Sequence, residues 1–563
     1  YLKILHDNFR INAGDIIYEN QNISRKLVGV NSYFNFQNIE GSSVYAKSKG
    51  NFKYLELKGR DGDQGPYQLI GFNGENDIII LAGTERVWLD GEKLIRGTNY
   101  DYTIDYSTAK VIFTPKHIIH FDSDLAFEYQ FSDYQYQKNF IGGSLKNNGN
   151  NKSRFDIGFY NEDDKNQDND FNDSYFDSLE SITSESILIS TAVINSDGDY
   201  ILNNGIYFYD ISNDFVDEIR YDITFQADIN GNYEKKISDI GRIFYEYLSP
   251  DERSDLIQLY SPFRILTAPG THYYGYLDYN YKLSKHVELH GNLSGSFIDR
   301  NKLYSDDLTK GESFNYGFNI DSLNFGSGVF SSKISIDQRS KNFKSFGRDN
   351  GIMNTRFWNL DSVMKGAYKK ISIFSDYSLE YFGQSNFELA KLEFFGFDRT
   401  RLNFEQKVTN NLFNNSFFKH LMIIDSIESF QRSDINLQLN IKNFSPFFKY
   451  VEEFDLYKGH FKNSGTGFSL IDDKKIFKTG LDFRKDSIAN FNNNNSLMTR
   501  DYIGYVEYSK RASNGINQNI LFKKRIKKGN QNTDDYNYSL IDIDLSKYGK
   551  NFPLRWKIKM RQE

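Results

Sequence analysis

His286, Glu288 and His290 occupy alternate positions in the chain. On an extended strand alternate side chains share a face, so His-x-Glu-x-His offers two imidazoles and a carboxylate to a divalent cation. The same spacing is what the polar, lumen-facing side of a barrel strand carries in any case, and that is the reading adopted. A second stretch, Asp168-Asn169-Asp170-Phe171-Asn172-Asp173, begins like a calcium loop. Asp173 stands where such a loop needs glycine, and Leu179 where it needs a bidentate glutamate. It reads as a solvated acidic loop. The sequence contains no Gly-rich phosphate loop, nucleophile elbow or zinc-protease helix motif. No catalytic, cofactor-binding or metal residue is therefore assigned, no cofactor is expected, and the chain is not expected to be an enzyme. A hydrolase whose Ser-His pair is assembled by folding from distant residues, with a histidine such as His290, is the one catalytic alternative.

The element that carries His286 to His290 is more informative than the residues themselves. From Tyr273 to Phe297 the chain reads as two strands of about ten residues joined through Ser284-Lys285. Tyr273, Gly275, Leu277, Tyr279, Tyr281 and Leu283 alternate with Tyr274, Tyr276, Asp278, Asn280 and Lys282. Val287, Leu289, Gly291, Leu293, Gly295 and Phe297 then alternate with His286, Glu288, His290, Asn292, Ser294 and Ser296. Strands of soluble sandwiches are nearer five or six residues. Period-two patterning over about ten residues suits a hairpin with one face in lipid and the other in water.

Composition agrees with this reading. Hydrophobic residues are 39% of the 563-residue chain and mean hydropathy is -0.61. No apolar run approaches the ~18 residues of a transmembrane helix, whereas barrel strands hide their apolar residues among polar ones. The 40 Tyr and 49 Phe exceed what an ordinary soluble domain carries, and both interfacial girdles and plain strand propensity account for the excess. There is no cysteine, and the net charge of -7 leaves no footprint for nucleic acid.

Residues 1–137 read as an all-β, sandwich-like module. Ile78-Ile79-Ile80-Leu81 is a continuous apolar strand, and Arg86-Val87-Trp88-Leu89 leads into the hairpin turn Asp90-Gly91. Tyr100 to Tyr106 pairs with Val111 to Phe113. Leu125, Phe127, Tyr129 and Phe131 then alternate with Ala126, Glu128 and Gln130. Residues 138–162 form a first barrel hairpin. Residues 163–268, opening on a polar run and closing near Pro250, Pro262 and Pro269, read as an inserted domain or long structured loop. Residues 269–563 carry the barrel signature throughout. Spans such as Phe314 to Ile320, Ile371 to Tyr381, Ile435 to Ile441 and Leu554 to Met560 alternate, separated by polar connectors including 491–496 and 527–535. Roughly 14–18 spanning strands are expected by the lengths usual for such barrels. The chain begins at Tyr1 and ends on Met560-Arg561-Gln562-Glu563 instead of an aromatic, which reads as a fragment with strands missing.

The run GPYQLIGFNGENDIIILAGTERVWLDGEKLIRGTNYDYTIDYSTAKVIFTP, Gly65 to Pro115, with FEYQFSDYQYQ after it, resembles a segment of large outer-membrane proteins of the Bacteroidota. Within it, LxRGxxxDYxIDYxxxxVxF, Leu94 to Phe113, is distantly similar to segments of the type IX secretion translocon. The resemblance covers a tenth to a quarter of the chain and implies a location in the bacterial outer membrane, with no catalytic residue to carry over. The expected fold is an all-β transmembrane antiparallel β-barrel with an N-terminal module and an insert. Its expected role is structural, in transport, secretion or envelope assembly, with outer-membrane lipid and other envelope proteins as partners. The rival reading is a secreted or surface-attached adhesin or glycan binder whose aromatics stack on sugars.

Overall fold

In the computed structural model, residues 2–562 are described apart from single positions and connecting stretches, chiefly 148–151, 167–176, 181–185, 211–218, 252–258, 489–496, 530–534 and 548–553. Two compact units are present. One comprises Tyr1–Tyr279, Asn292–Ser313 and Ser340–Gly366, the other Asn280–Gly291, Phe314–Arg339 and Ala367–Glu563. Nearly all regular structure is strand, and among the described residues twenty-two strands are hydrogen-bonded into one large antiparallel sheet. The all-β class read from the sequence is the class observed.

Sixteen of these strands lie from Thr271 onward, each next to its sequence neighbour. Most are 9 to 15 residues long, such as Thr271–Lys282, Val287–Asp299, Gly459–Asp472 and Leu497–Arg511. The two-residue turn expected at Ser284-Lys285 lies in the observed connection between Thr271–Lys282 and Val287–Asp299. No described helix is long and apolar enough to cross a membrane.

The sheet begins earlier in the chain than the periodicity indicates. Leu2–Leu5, Phe9–Asn20, Ile23–Phe36 and Ile39–Ser48 are its strands, paired in succession, and do not belong to the N-terminal module. Their alternation is blurred because both faces mix polar and apolar residues. Asn12, Ile16 and Tyr18 are buried on one face, with Asp15, Ile17 and Glu19 on the other. Ile39–Ser48 is hydrogen-bonded directly to Tyr136–Asn147, Ser48 opposite Lys138 and Ile39 opposite Asn147. Tyr136–Asn147 then pairs with Ser153–Asn166. The hairpin expected at 138–162 thus spans 136–166, and the insert begins after it.

The module between these strands is built from two small sheets. Gly50–Lys58, Asp124–Ser132, Arg86–Leu89 and Glu92–Lys93 form one, and Tyr67–Gln68, Lys110–Phe113 and Tyr102–Asp105 the other. They enclose Leu69, Ile80, Val111, Phe113, Ile119, Leu125, Phe127 and Tyr129. The turn at Asp90-Gly91 has both residues at positive φ, 51° and 87°, the pairing a tight hairpin of this hand requires. The apolar run at Ile78 packs into the core but makes only an isolated bridge, Ile80 to Phe131. The insert contains a two-stranded ladder, Ser186–Ser190 with Phe263–Thr267, and two four-stranded sheets. Their shared core is largely tyrosine, around Tyr200, Phe225 and Tyr233.

Candidate functional site

In the first unit one face of the large sheet is covered and mixes apolar and aromatic residues with buried polar and charged ones. Tyr18 lies opposite Arg25, Ala46 opposite Phe140, Phe140 opposite Glu162, and Gly142 opposite Tyr160. Since successive residues alternate across a strand, these register pairs put Tyr18, Arg25, Phe140, Tyr160 and Glu162 on one face with Tyr274 and Tyr276. Gly142 is needed here: a Cβ at this position would meet the Tyr160 ring at 2.2 Å. The segment carrying Phe343 and Phe346 folds over the same aromatic cluster, and Phe346 meets Phe140 edge to face at 5.4 Å.

Two polar networks cross the cluster. In the first, the hydroxyls of Tyr18 and Tyr160 are 3.0 Å apart, and Asn20 donates to the Tyr160 hydroxyl at 2.7 Å and to Ser144 at 2.8 Å. Tyr276 donates to Asp156 at 3.0 Å. In the second, Glu162 lies 3.8 Å from Arg25 and 3.6 Å from Lys138, and Lys138 is 3.4 Å from Asp164. Arg25 also sits over the rings of Phe52 and Phe346 at 5.4 and 6.0 Å. Buried charges are tolerated only when paired, and here two cations face two carboxylates. The arrangement can hold a polar or charged group against an aromatic floor; it presents no activated nucleophile.

The module is tied to this face. Gln130 donates to the Ser24 carbonyl at 3.2 Å and accepts from the Lys26 amide at 3.3 Å, and Arg86 donates to Ser24 at 3.0 Å. From the other side comes the stretch after Gly328–Arg339. Its short helix Asn354–Phe357 carries Arg356, which pairs with Asp90 at 2.9 Å and with Asp124, and Thr355, which donates to Glu56. Trp358 follows, fully buried. Away from this contact, Asp105 accepts from the Ser107 hydroxyl at 2.6 Å and the Ser107 amide at 2.9 Å. With the Thr108 bonds these hold its carboxyl down at about 2.

The opposite face of the large sheet is apolar and open. Leu293 and Phe297 are 48% and 44% exposed while Ser296, on the other face of the same strand, is fully buried. Ile17, Tyr45, Ile141, Phe159, Phe483 and Phe522 are likewise exposed. In the second unit the covered face again holds ion pairs. Arg525 with Asp501 is almost wholly buried, and Arg484 with Asp486 lies 2.8 Å apart. Others are Arg432 with Asp434 and Glu453, and Arg399 with Asp425.

The residues singled out by spacing are not brought together. His286 stands just before the Val287–Asp299 strand and its Nδ1 donates to the Asp321 carbonyl at 3.0 Å. Both His290 ring nitrogens are buried without a hydrogen-bond partner. Among the described residues no group of three His, Asp or Glu is placed to hold a metal. The acidic run 168–173 lies outside the described residues; Leu179, at the twelfth position counted from Asp168, is buried with Ile189 and Leu266. The Arg25, Lys138 and Glu162 cluster is not legible in the sequence because Arg25 lies more than a hundred residues from the hairpin that carries Lys138 and Glu162, and the three belong to no motif. The alternation of Lys138, Phe140 and Gly142 was its one sequence signal.

A family described as a domain of unknown function, DUF8818, matches residues 52–133, the extent of the inserted module. No curated protein matches the chain. Among solved structures, the translocation pore of the P pilus usher PapC is similar over 93% of this chain and 83% of its own, at 8% identity and a TM-score of 0.33. An E. coli P pilus tip assembly intermediate, PapC-PapD-PapK-PapG, is similar over 97% of this chain and 61% of its own, at 9% identity and 0.33. The ferric citrate transporter FecA is similar over 96% and 71%, at 8% and 0.24.

Proposed function

We propose that the chain is an integral outer-membrane β-barrel with a structural role in transport, secretion or envelope assembly, and that other envelope proteins are its partners. The observation that carries this reading is the inversion of the large sheet, which exposes aromatic and aliphatic side chains on one face and buries ion pairs on the other. In water an apolar face of this extent would be a liability; in lipid it is the surface required.

The height of the apolar face supports the same solvent. On that face Lys485 lies opposite Arg500 near one end of the strands and Lys475 opposite Lys510 near the other. Between them stand Phe477, Thr479, Leu481 and Phe483 on one strand and Tyr502, Gly504, Val506 and Tyr508 on the next. Ten residues of strand rise about 34 Å, which at a tilt of about 45° projects to roughly 24 Å. The apolar band of outer-membrane barrels is about 25 Å tall.

The resemblance to Bacteroidota proteins and the type IX translocon falls within the module, so secretion is the more specific form of the role. Fractionation tests the proposal. The protein is expected in the membrane pellet, extracted by detergent alone, and to migrate faster on a gel unheated than boiled. Recovery as a soluble, detergent-independent protein would sink it and favour the adhesin reading.

A further inference from the structure

The exposed face of the second unit carries a row of like charges. Lys462 is opposite Lys485, Lys485 opposite Arg500, and Arg500 opposite Lys528. Like charges directly across a ladder are unfavourable. Lys462 is neutralised by Glu452 at 2.8 Å. Lys485, Arg500 and Lys528 are exposed, and among the described residues no carboxylate pairs with them. Three adjacent cations without counter-ions call for an anion from outside the chain.

Immediately beside the row is a place for an apolar group. Ser464 and Phe483 lie one same-face step from Lys462 and Lys485, as Tyr502 does from Arg500. Ser464, Thr466 and Gly504 are small, and Phe448, Leu481 and Tyr502 stand around them, leaving a depression of about 320 Å³ with an almost wholly apolar lining. Adjacent strands are about 4.8 Å apart, so the three cations span roughly 10 Å, wider than a single phosphate.

We propose that this surface is a binding site for a lipid with two headgroup phosphates, which lie along Lys485, Arg500 and Lys528 while one acyl chain fills the depression. The inference rests on the lipid-facing reading of this sheet face. Charge complementarity selects the headgroup and the apolar depression selects a lipid over free phosphate.

The test uses the full chain in detergent micelles, with diphosphoryl lipid A, its monophosphoryl form and inorganic phosphate as probes, and bound lipid read by native mass spectrometry. Wild type is expected to bind the diphosphoryl form at least tenfold more tightly than the monophosphoryl. The triple variant K485Q/R500Q/K528Q should bind it about a hundredfold more weakly, given what each surface cation contributes toward anionic lipid. Thr466→Phe, which fills the depression and leaves the cations, should weaken it independently. Both variants should keep heat-modifiable migration, since the first removes only repulsion. Equal binding of the two lipids, binding indifferent to both variants, or displacement by equimolar inorganic phosphate would overturn the site. Self-association abolished by Thr466→Phe, without lipid binding, would overturn it in favour of a second copy as occupant. A wild-type chain that needs no detergent would instead overturn the barrel reading, before any lipid is added.

Discussion

The inserted module and the large sheet use the same residues in opposite senses. In the module, Leu125, Phe127, Tyr129 and Phe131 alternate along Asp124–Ser132 and face a dry core, and Ala126, Glu128 and Gln130 between them are buried too. In Val287–Asp299, Leu289, Leu293 and Phe297 alternate just as regularly and are exposed, while Ser294 and Ser296 are buried. Strand periodicity tells which residues share a face; it does not tell which face is inside. That depends on the solvent, and under the barrel reading proposed above the open apolar face is the one that meets lipid.

The sharpest way to break this contrast is to truncate one aromatic of each kind. Phe127→Ala should cost the module about 3–5 kcal/mol, read as protease cleavage within 50–132, whereas Phe297→Ala should leave cleavage unchanged. Equal sensitivity would mean that the exposed face packs against protein. Next, Arg525→Met strands Asp501 and should cost about 3–5 kcal/mol, measured by urea unfolding from lipid vesicles. The double variant with Asp501→Leu should recover much of that loss, since a buried pair can be replaced by apolar residues at little cost. Full additivity of the two changes would argue that the pair is wet. Leu293→Arg, at the middle of its strand, should cost about 2–4 kcal/mol in vesicles and almost nothing if that face meets water.

The smallest effect concerns pH. Hydrogen bonds from Ser107 and Thr108 lower the Asp105 carboxyl to about 2. A depressed carboxyl stabilises the fold above its unfolded value, near 4, and the contribution disappears as pH falls from about 4 to about 2. Asp105→Asn should therefore lower the thermal midpoint of the module at pH 6 and hardly change it at pH 2. The large sheet, to which Asp105 does not belong, should show no such step on this substitution.

What could be read in advance followed physical scale. Long strands from Thr271 onward declared themselves because alternation ran for ten or more residues with Leu, Val and Phe on one side. The first four strands did not, since Asn12, Arg25 and Asn31 interrupt the apolar residues of their buried face. Turn chemistry was local and legible, as at Asp90-Gly91. The Arg25, Lys138, Glu162 and Asp164 constellation was not, because the pairing of Ile39–Ser48 with Tyr136–Asn147, strands more than eighty residues apart, is what brings Arg25 to the hairpin that carries the other three. Glu288 and His290 share a face as their spacing requires, whereas His286 lies before the strand and bonds the Asp321 carbonyl, so the spacing supplied no convergence on one point.

Ile39–Ser48 is bonded along its whole length to Lys138–Asn147, although more than eighty residues separate the two strands. The module is consequently a cassette spliced into a hairpin: both of its ends are anchored on neighbouring strands, and the register of the sheet is set without it. A two-residue turn could close the same hairpin, and a domain of another length could be grafted there. In such an architecture the sheet and its passenger are free to diverge at different rates, each answering to the surroundings of its own surface.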